Sequence, residues 1–318
     1  MFTHILAPLD RSELAECILP HAVAVAHAFD AKLTILHVAE PVEADGESAM
    51  VDPLHWEMQK TEAQAYLDEI ATKLRTADVP VATHLLEGRA AESIINFVHQ
   101  EEVDLILLSS HGQSGLSRWN VGSVAQKVIV EAPASFMLVR SYQTQDADLT
   151  EARYQRILAP LDGSQRSECI LASVEGLAHY HKAQLLLAHV VRRPEIPRHI
   201  PLSAEETELY ERTTALNRTV AAEYLKQLQE RLPLKSETHL LDSDDVASAL
   251  HELARQVNAD LIVLGAHGYS GSTKWPYGSM TTSFITYGAQ PLLIIQDLTQ
   301  EEIEPTPAQQ AAREIAGH

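Results

Sequence analysis

The chain repeats itself, and this constrains its fold more than any other feature. The stretch ILAPLD at Ile5–Asp10 returns unchanged at Ile157–Asp162, and Leu36-His37-Val38 returns as Ala188-His189-Val190, both displaced by 152 residues. THLL at Thr83–Leu86 returns at Thr238–Leu241, and DLILL at Asp104–Leu108 returns as DLIVL at Asp260–Leu264, displaced by 155 and 156. Order is kept and the offset barely drifts, which is the mark of a tandem duplication. Two similar units are expected, over residues 1–141 and 154–297, joined by a polar linker at 142–153. A tail at 298–318 has no counterpart in the first copy. Its Glu, Pro, Gln and Ala content predicts a mobile acidic extension.

Within each copy, short apolar runs alternate with helical patterns. Phe2–Leu9, Lys32–Val38, Val81–Leu86, Leu105–Ser109 and Ser135–Val139 are rich in Ile, Leu and Val without strict alternation, as strands buried on both faces are. Leu14, Ile18, Val25 and Phe29 follow helical spacing, as do Ile94 with Val98, and Val246, Leu250, Leu253 and Val257 in the second copy. Strand and helix in alternation predict an α/β fold, two tandem doubly wound parallel-sheet domains with helices on both faces. Pro20 is expected to kink the first helix of copy one, where copy two has Ala172.

Charge and composition remove several function classes. With 24 Lys and Arg against 44 Asp and Glu the net charge is −20, which repels nucleic acid and anionic lipid. No apolar run reaches the roughly 18 residues of a membrane span. Asp10 and Arg11 arrive before any signal-peptide core, so a cytoplasmic protein is expected. The two cysteines, Cys17 and Cys169, fall at equivalent positions without metal-ligand spacing, which suits a reducing compartment.

The longest conserved loop follows the fourth strand of each copy. SSHGQSGLSRWNVGSV at 109–124 stands over GAHGYSGSTKWPYGSM at 265–280. Shared columns pair His111 with His267, Gly112 with Gly268, Ser114 with Ser270, Gly115 with Gly271, Trp119 with Trp275, Gly122 with Gly278 and Ser123 with Ser279. Arg118 and Lys274 share a cationic column. In open α/β sheets ligands bind outside the carboxyl ends of the strands, which is where this loop begins. Glycines let backbone N–H groups approach phosphate oxygens, and a serine at the next helix start can donate its hydroxyl where the helix dipole favours anions. The loop reads as a phosphate cradle. The histidines read as loop hydrogen-bonding groups, the tryptophans as packing, the cationic column as solvated, and no metal site is expected.

The copy-two pattern G-x2-G-x9-G-S, carried by Gly265, Gly268, Gly278 and Ser279, resembles the universal stress protein family, in its tandem-domain form. Copy one shows Ser109, Gly112, Gly122 and Ser123, lacking only the first glycine, and the resemblance covers both halves through about residue 297. It implies a five-stranded parallel sheet of order 3-2-1-4-5 in each half and the binding of ATP, with or without magnesium. It places adenine and ribose recognition at Pro8, Asp10 and Val38 and at Pro160, Asp162 and Val190, with phosphates on the glycine loop and its serine. The family commonly pairs its last strands, which predicts an internal pseudo-dimer through Ser135–Val139 and Leu292–Ile295, and a homodimer beyond it. Each of these residues also has a structural reading: Asp162 as a helix cap near Ser164, Val190 as core, Gly265 as a strand end. Ser109 narrows the cradle if its position needs a positive φ, and the same question attaches to Gly278.

The chain lacks GxxxxGK[ST], kinase signatures, GxSxG and HExxH. Only Asp10 and Asp162 are placed to serve as bases. An ATP-binding regulatory or stress-tolerance protein is expected, with weak hydrolysis at most. The rivals are an interaction module with decayed nucleotide sites and an adenylating enzyme on a related fold; PLDRSE and PLDGSQ after the first strands do not match the glycine-rich loop of the latter.

Overall fold

A computed structural model of the chain describes residues 1–41, 53–112, 121–141, 153–192, 203–269 and 277–297. The loop positions Ser114, Gly115, Arg118, Trp119, Ser270, Gly271, Lys274, Trp275 and Pro276, the tail at 298–318 and most of the 142–153 stretch lie outside the described residues.

The first copy runs β1 (His4–Pro8), α1 (Glu13–Glu16), α2 (Leu19–Phe29), β2 (Lys32–Ala39), α3 (Pro53–Arg75), β3 (Val81–Glu87), α4 (Ala90–Gln100), β4 (Leu105–Ser109), α5 (Ser123–Glu131) and β5 (Ser135–Val139). The second repeats the order with β6 (Arg156–Pro160), α6 (Gln165–Glu168), α7 (Leu171–His181), β7 (Gln184–Val191), α8 (Ala204–Arg231), β8 (Ser236–Asp242), α9 (Val246–Gln256), β9 (Leu261–Gly265), α10 (Ser279–Tyr287) and β10 (Leu292–Ile295). All ten strands form one sheet of order β3-β2-β1-β4-β5-β10-β9-β6-β7-β8, so each copy keeps the order 3-2-1-4-5. Successive strand residues feed opposite faces. Ile5, Leu33 and Leu107 enter the core beneath α2 and α3, while Leu6, Leu36 and Ile106 enter the core beneath α4 and α5. This is why the inner strands read as unbroken apolar runs. The edge strands β3 and β8, expected to be buried on both faces too, pair on one side only, and none of their residues is buried.

The copies meet where the last strands pair antiparallel, with Leu138 opposite Leu292, Met137 opposite Leu293 and Phe136 opposite Ile294. Two apolar edges are thereby covered in one chain. Polar contacts lock the seam. The Tyr277 hydroxyl donates to the Ile129 carbonyl of α5 at 2.6 Å, and the buried Arg140 guanidinium donates to the Phe284 and Ile285 carbonyls at 3.3 and 2.5 Å. On the other face α2 packs on α7. A Cβ at Gly176 would stand 2.7 Å from the Phe29 ring, so glycine in mid-helix is what lets these helices approach. The buried Tyr154 hydroxyl bonds His21 Nδ1 at 2.7 Å beside them.

The expected Pro20 kink needs correction. The first helix is interrupted between α1 and α2, but the second copy is interrupted at the same place between α6 and α7, where Ala172 stands. Pro20 lies in the first turn of α2, where a missing N–H deprives the helix of nothing. Asp104 and Asp260, which open the DLI motifs, hold the sheet together: Asp104 accepts from the Thr3 and His4 N–H groups, and Asp260 from those of Gln155 and Arg156.

Candidate functional site

The strand order reverses between β1 and β4, and a cavity of about 530 Å³ opens at their carboxyl ends. Its wall includes Pro8, Asp10, Val38, Ser109, Gly112, Gly122 and Ser123. All seven first-copy residues singled out by the sequence thus meet at one place. Leu36, Val38 and Ile94 give the cavity an apolar side, and the start of α5 gives it a polar one.

Local chemistry builds this wall. Asp10 Oδ1 accepts from the Ser12 N–H at 3.0 Å and from the Ser12 hydroxyl at 2.5 Å, while Ser12 Oγ caps α1 through the Ala15 N–H at 3.1 Å. Gly112 passes so close that a Cβ there would lie 2.8 Å from Asp10 Cγ, overlapping the carboxylate. The Gly122 N–H donates to the Ser110 carbonyl at 2.8 Å and sets the start of α5. Behind it the Ser110 hydroxyl touches His111 Nδ1 at 3.0 Å and the Ser141 hydroxyl at 3.4 Å. Burial, with the Arg140 charge adding to it, lowers the His111 pKa and favours the neutral ring.

The second copy repeats the arrangement. Pro160 ends β6, Val190 is partly buried in β7, Gly265 ends β9, and Gly278 with Ser279 opens α10. Asp162 accepts from the Ser164 N–H and hydroxyl at 3.0 and 2.6 Å and from the Tyr269 N–H at 2.5 Å. Burial would raise its carboxyl, but these hydrogen bonds outweigh that and hold it below the usual range. A Cβ on Gly268 would again strike the Asp carboxylate. The cap of α6 is Ser164 rather than Asp162, because the serine hydroxyl accepts the Ser167 N–H.

Positive φ is not what the described loop glycines supply. Gly122 and Gly278 sit at φ −58° and −67°, and among the described glycines only Gly88 and Gly163 have positive φ. Ser109 therefore carries no backbone strain, and its hydroxyl donates to the His111 carbonyl at 2.8 Å. Gly265 answers a different need: a Cβ there would press on the His267 and Arg166 carbonyls at 3.2 and 3.3 Å.

Four groups at or beside the site escaped the sequence reading. His37 and His189 bond the Leu9 and Leu161 carbonyls at 2.7 and 2.9 Å and so pin the turn that carries each aspartate. Burial lowers both pKa values against the opposing carbonyl bonds, so each ring is a neutral Nδ1–H donor. Their repetition inside the Leu36–Val38 and Ala188–Val190 motifs was the available signal. Arg166 and Asp297 are peculiar to copy two: buried Asp297 bonds His267 Nδ1 at 2.8 Å and faces the Arg166 guanidinium at 3.6 Å. Copy one has Leu14 and Ser141 at the equivalent positions.

A duplicated α/β unit of this kind has known counterparts. The family described as the universal stress protein family matches residues 1–140 and again 153–296. The chain belongs to the universal stress protein family. A universal stress protein of Mycolicibacterium smegmatis is 24% identical over 298 residues, covering 92% of this chain and 96% of the relative. A single-unit relative from Thermus aquaticus is 33% identical over 142 residues, 44% of this chain and all of its own. The crystal structure of a universal stress protein from Archaeoglobus fulgidus shares the fold at TM-score 0.63 and 18% identity, over 93% of this chain and 98% of that one.

Proposed function

We propose that this universal stress protein binds ATP in the cavity between β1 and β4 and acts as a regulatory or stress-tolerance protein, with weak hydrolysis at most. Gly122 carries the reading. Its backbone lies where any residue can go, and a Cβ would meet nothing nearer than the Ser110 carbonyl at 3.7 Å. It is the N-cap of α5, a place where Asn, Asp and Ser serve a helix somewhat better than glycine. Gly278 repeats the case, with 3.6 Å to the Ala266 carbonyl. The fold has no need of glycine at either cap, whereas an anion drawn onto a helix N-terminus has.

Other features support the same reading. The cavity lies within the roughly 300–1,000 Å³ of small-molecule sites. The α5 N-terminus and the Ser123 hydroxyl suit phosphate, Asp10 suits ribose hydroxyls, and Leu36, Val38 and Ile94 suit the flat face of adenine. Asp10 Oδ1 is already engaged by Ser12, which argues against it as an efficient base. Magnesium would come with the phosphates, since among the described residues no three His, Cys, Asp or Glu side chains gather as a metal site. A cytoplasmic homodimer remains part of the proposal, and light scattering on the purified chain tests the dimer.

A structural role for the second copy is the competing reading there, because Asp162 is held by three hydrogen bonds within the chain. Titration calorimetry on nucleotide-free protein decides both matters. Two ATP per chain would refute the structural reading of copy two, one would leave only the first cavity, and no heat at high-micromolar protein would refute ATP binding itself.

A further inference from the structure

The copies differ at the residue after the site aspartate. Arg11 follows Asp10, and Gly163 follows Asp162. Both backbones are left-handed, φ 68° at Arg11 and 83° at Gly163. Glycine adopts this region freely, and a residue with a Cβ does so at a cost. Arg11 nevertheless stands there, in the cavity wall.

Among the described residues, the ion pair that Arg11 makes does not repay that cost. The Arg11 guanidinium meets Glu62 of α3 at 3.4 Å, with the two side chains 33% and 61% exposed. An exposed ion pair of this kind contributes little and is screened by salt. Tyr66 of α3 aligns with Tyr224 of α8, which puts Val220 where Glu62 stands, so the second copy lacks both members of the pair. Among the described wall residues Arg11 is the one Lys or Arg, beside the acidic Asp10 and Glu40. Glu40 is committed to the Ala90 N–H that opens α4.

We propose that Arg11 is a specificity-determining residue of the first cavity, exchanging Glu62 for the ligand's phosphate groups and so selecting a nucleoside polyphosphate over the uncharged nucleoside. A planar guanidinium is matched to phosphate oxygens, and in a chain of net charge −20 it offsets the repulsion a polyphosphate meets. Gly163 leaves the second copy without this selection. The inference rests on the nucleotide reading of the cavity.

The test is calorimetric titration of the full chain and of Arg11→Gly and Gly163→Arg with ATP and, separately, with adenosine. Glycine suits the left-handed backbone at position 11, so the thermal midpoint of Arg11→Gly should not fall. Its ATP affinity should fall about tenfold with adenosine affinity kept within about twofold, as for loss of charge-assisted hydrogen bonds. A Cβ at Gly163 meets no atom within 4 Å, so Gly163→Arg costs stability only through the left-handed backbone that Arg11 already bears, and should strengthen ATP binding over adenosine in the second copy. Unchanged ATP affinity in Arg11→Gly, or equal losses of ATP and adenosine, overturns the assignment of Arg11 while leaving the cavity a nucleotide site. Failure of the unaltered protein to bind either ligand overturns both.

Discussion

Acid should loosen the seam between the two copies, and His21 gives the size of the effect. Burial lowers the His21 pKa from 6.5 to about 4, and its Nδ1 bonds the Tyr154 hydroxyl at 2.7 Å between α2 and α7. A histidine whose folded pKa is depressed stabilises the fold fully above its unfolded pKa. That contribution is lost as pH falls below 6.5 and is exhausted beneath about 4. For one such group the loss on going from about pH 8 to about pH 5 is roughly 2 kcal/mol. Other groups titrate over the same range, including His181, which burial also lowers to about 4. The comparison with His21→Phe isolates the one residue. The variant should be less stable at both pH values, since the Tyr154 hydroxyl loses its 2.7 Å nitrogen partner and keeps only the weak Met137 Sδ contact at 3.9 Å, at about 1 to 2 kcal/mol. It should also lose about 2 kcal/mol less than the unaltered chain between them. Urea unfolding by linear extrapolation at the two pH values measures this difference. Equal losses in both proteins would show that His21 is not held neutral by the seam.

Three further outcomes follow from the geometry. Gly122→Ala should change urea stability by less than about 1 kcal/mol, because the entropy gained from a Cβ that its φ and surroundings accept is opposed by alanine's poor fit at an N-cap, while weakening ATP more than adenosine in calorimetry. Gly112→Ala should destabilise by about 1 to 3 kcal/mol, since the new methyl group overlaps the Asp10 carboxylate, and its ATP affinity should fall with it. Tyr277→Phe strips the Ile129 carbonyl of its 2.6 Å donor and should cost about 1 to 2 kcal/mol in chemical denaturation without changing the m-value.

The sequence by itself determined what local pattern and repetition can carry. The unbroken apolar runs specify strands, buried on both faces in the middle of the sheet but not at its edges, where no residue of β3 or β8 is buried, and the 152–156 offset specifies two copies of one unit. The recurring ILAPLD and glycine-loop motifs marked the residues that meet around the first cavity. Contacts that depend on where distant segments land were decided only by the tertiary structure. Gly112 reads as a phosphate glycine until the chain is folded, and then a second reason shows: the Asp10 carboxylate lies where its Cβ would be. The Pro20 kink failed for a related reason, since a helix break shared by a copy with Ala172 belongs to the unit and not to the proline. Arg140 reaches carbonyls 144 and 145 residues away, a pairing that no periodicity encodes. The inequality of Arg11 and Gly163 is plain in the sequence, but the strained backbone, the weak Glu62 partner and the cavity wall appear only in three dimensions. Hydrophobic period is a property of neighbours along the chain, whereas close approach and charge pairing are properties of neighbours in space.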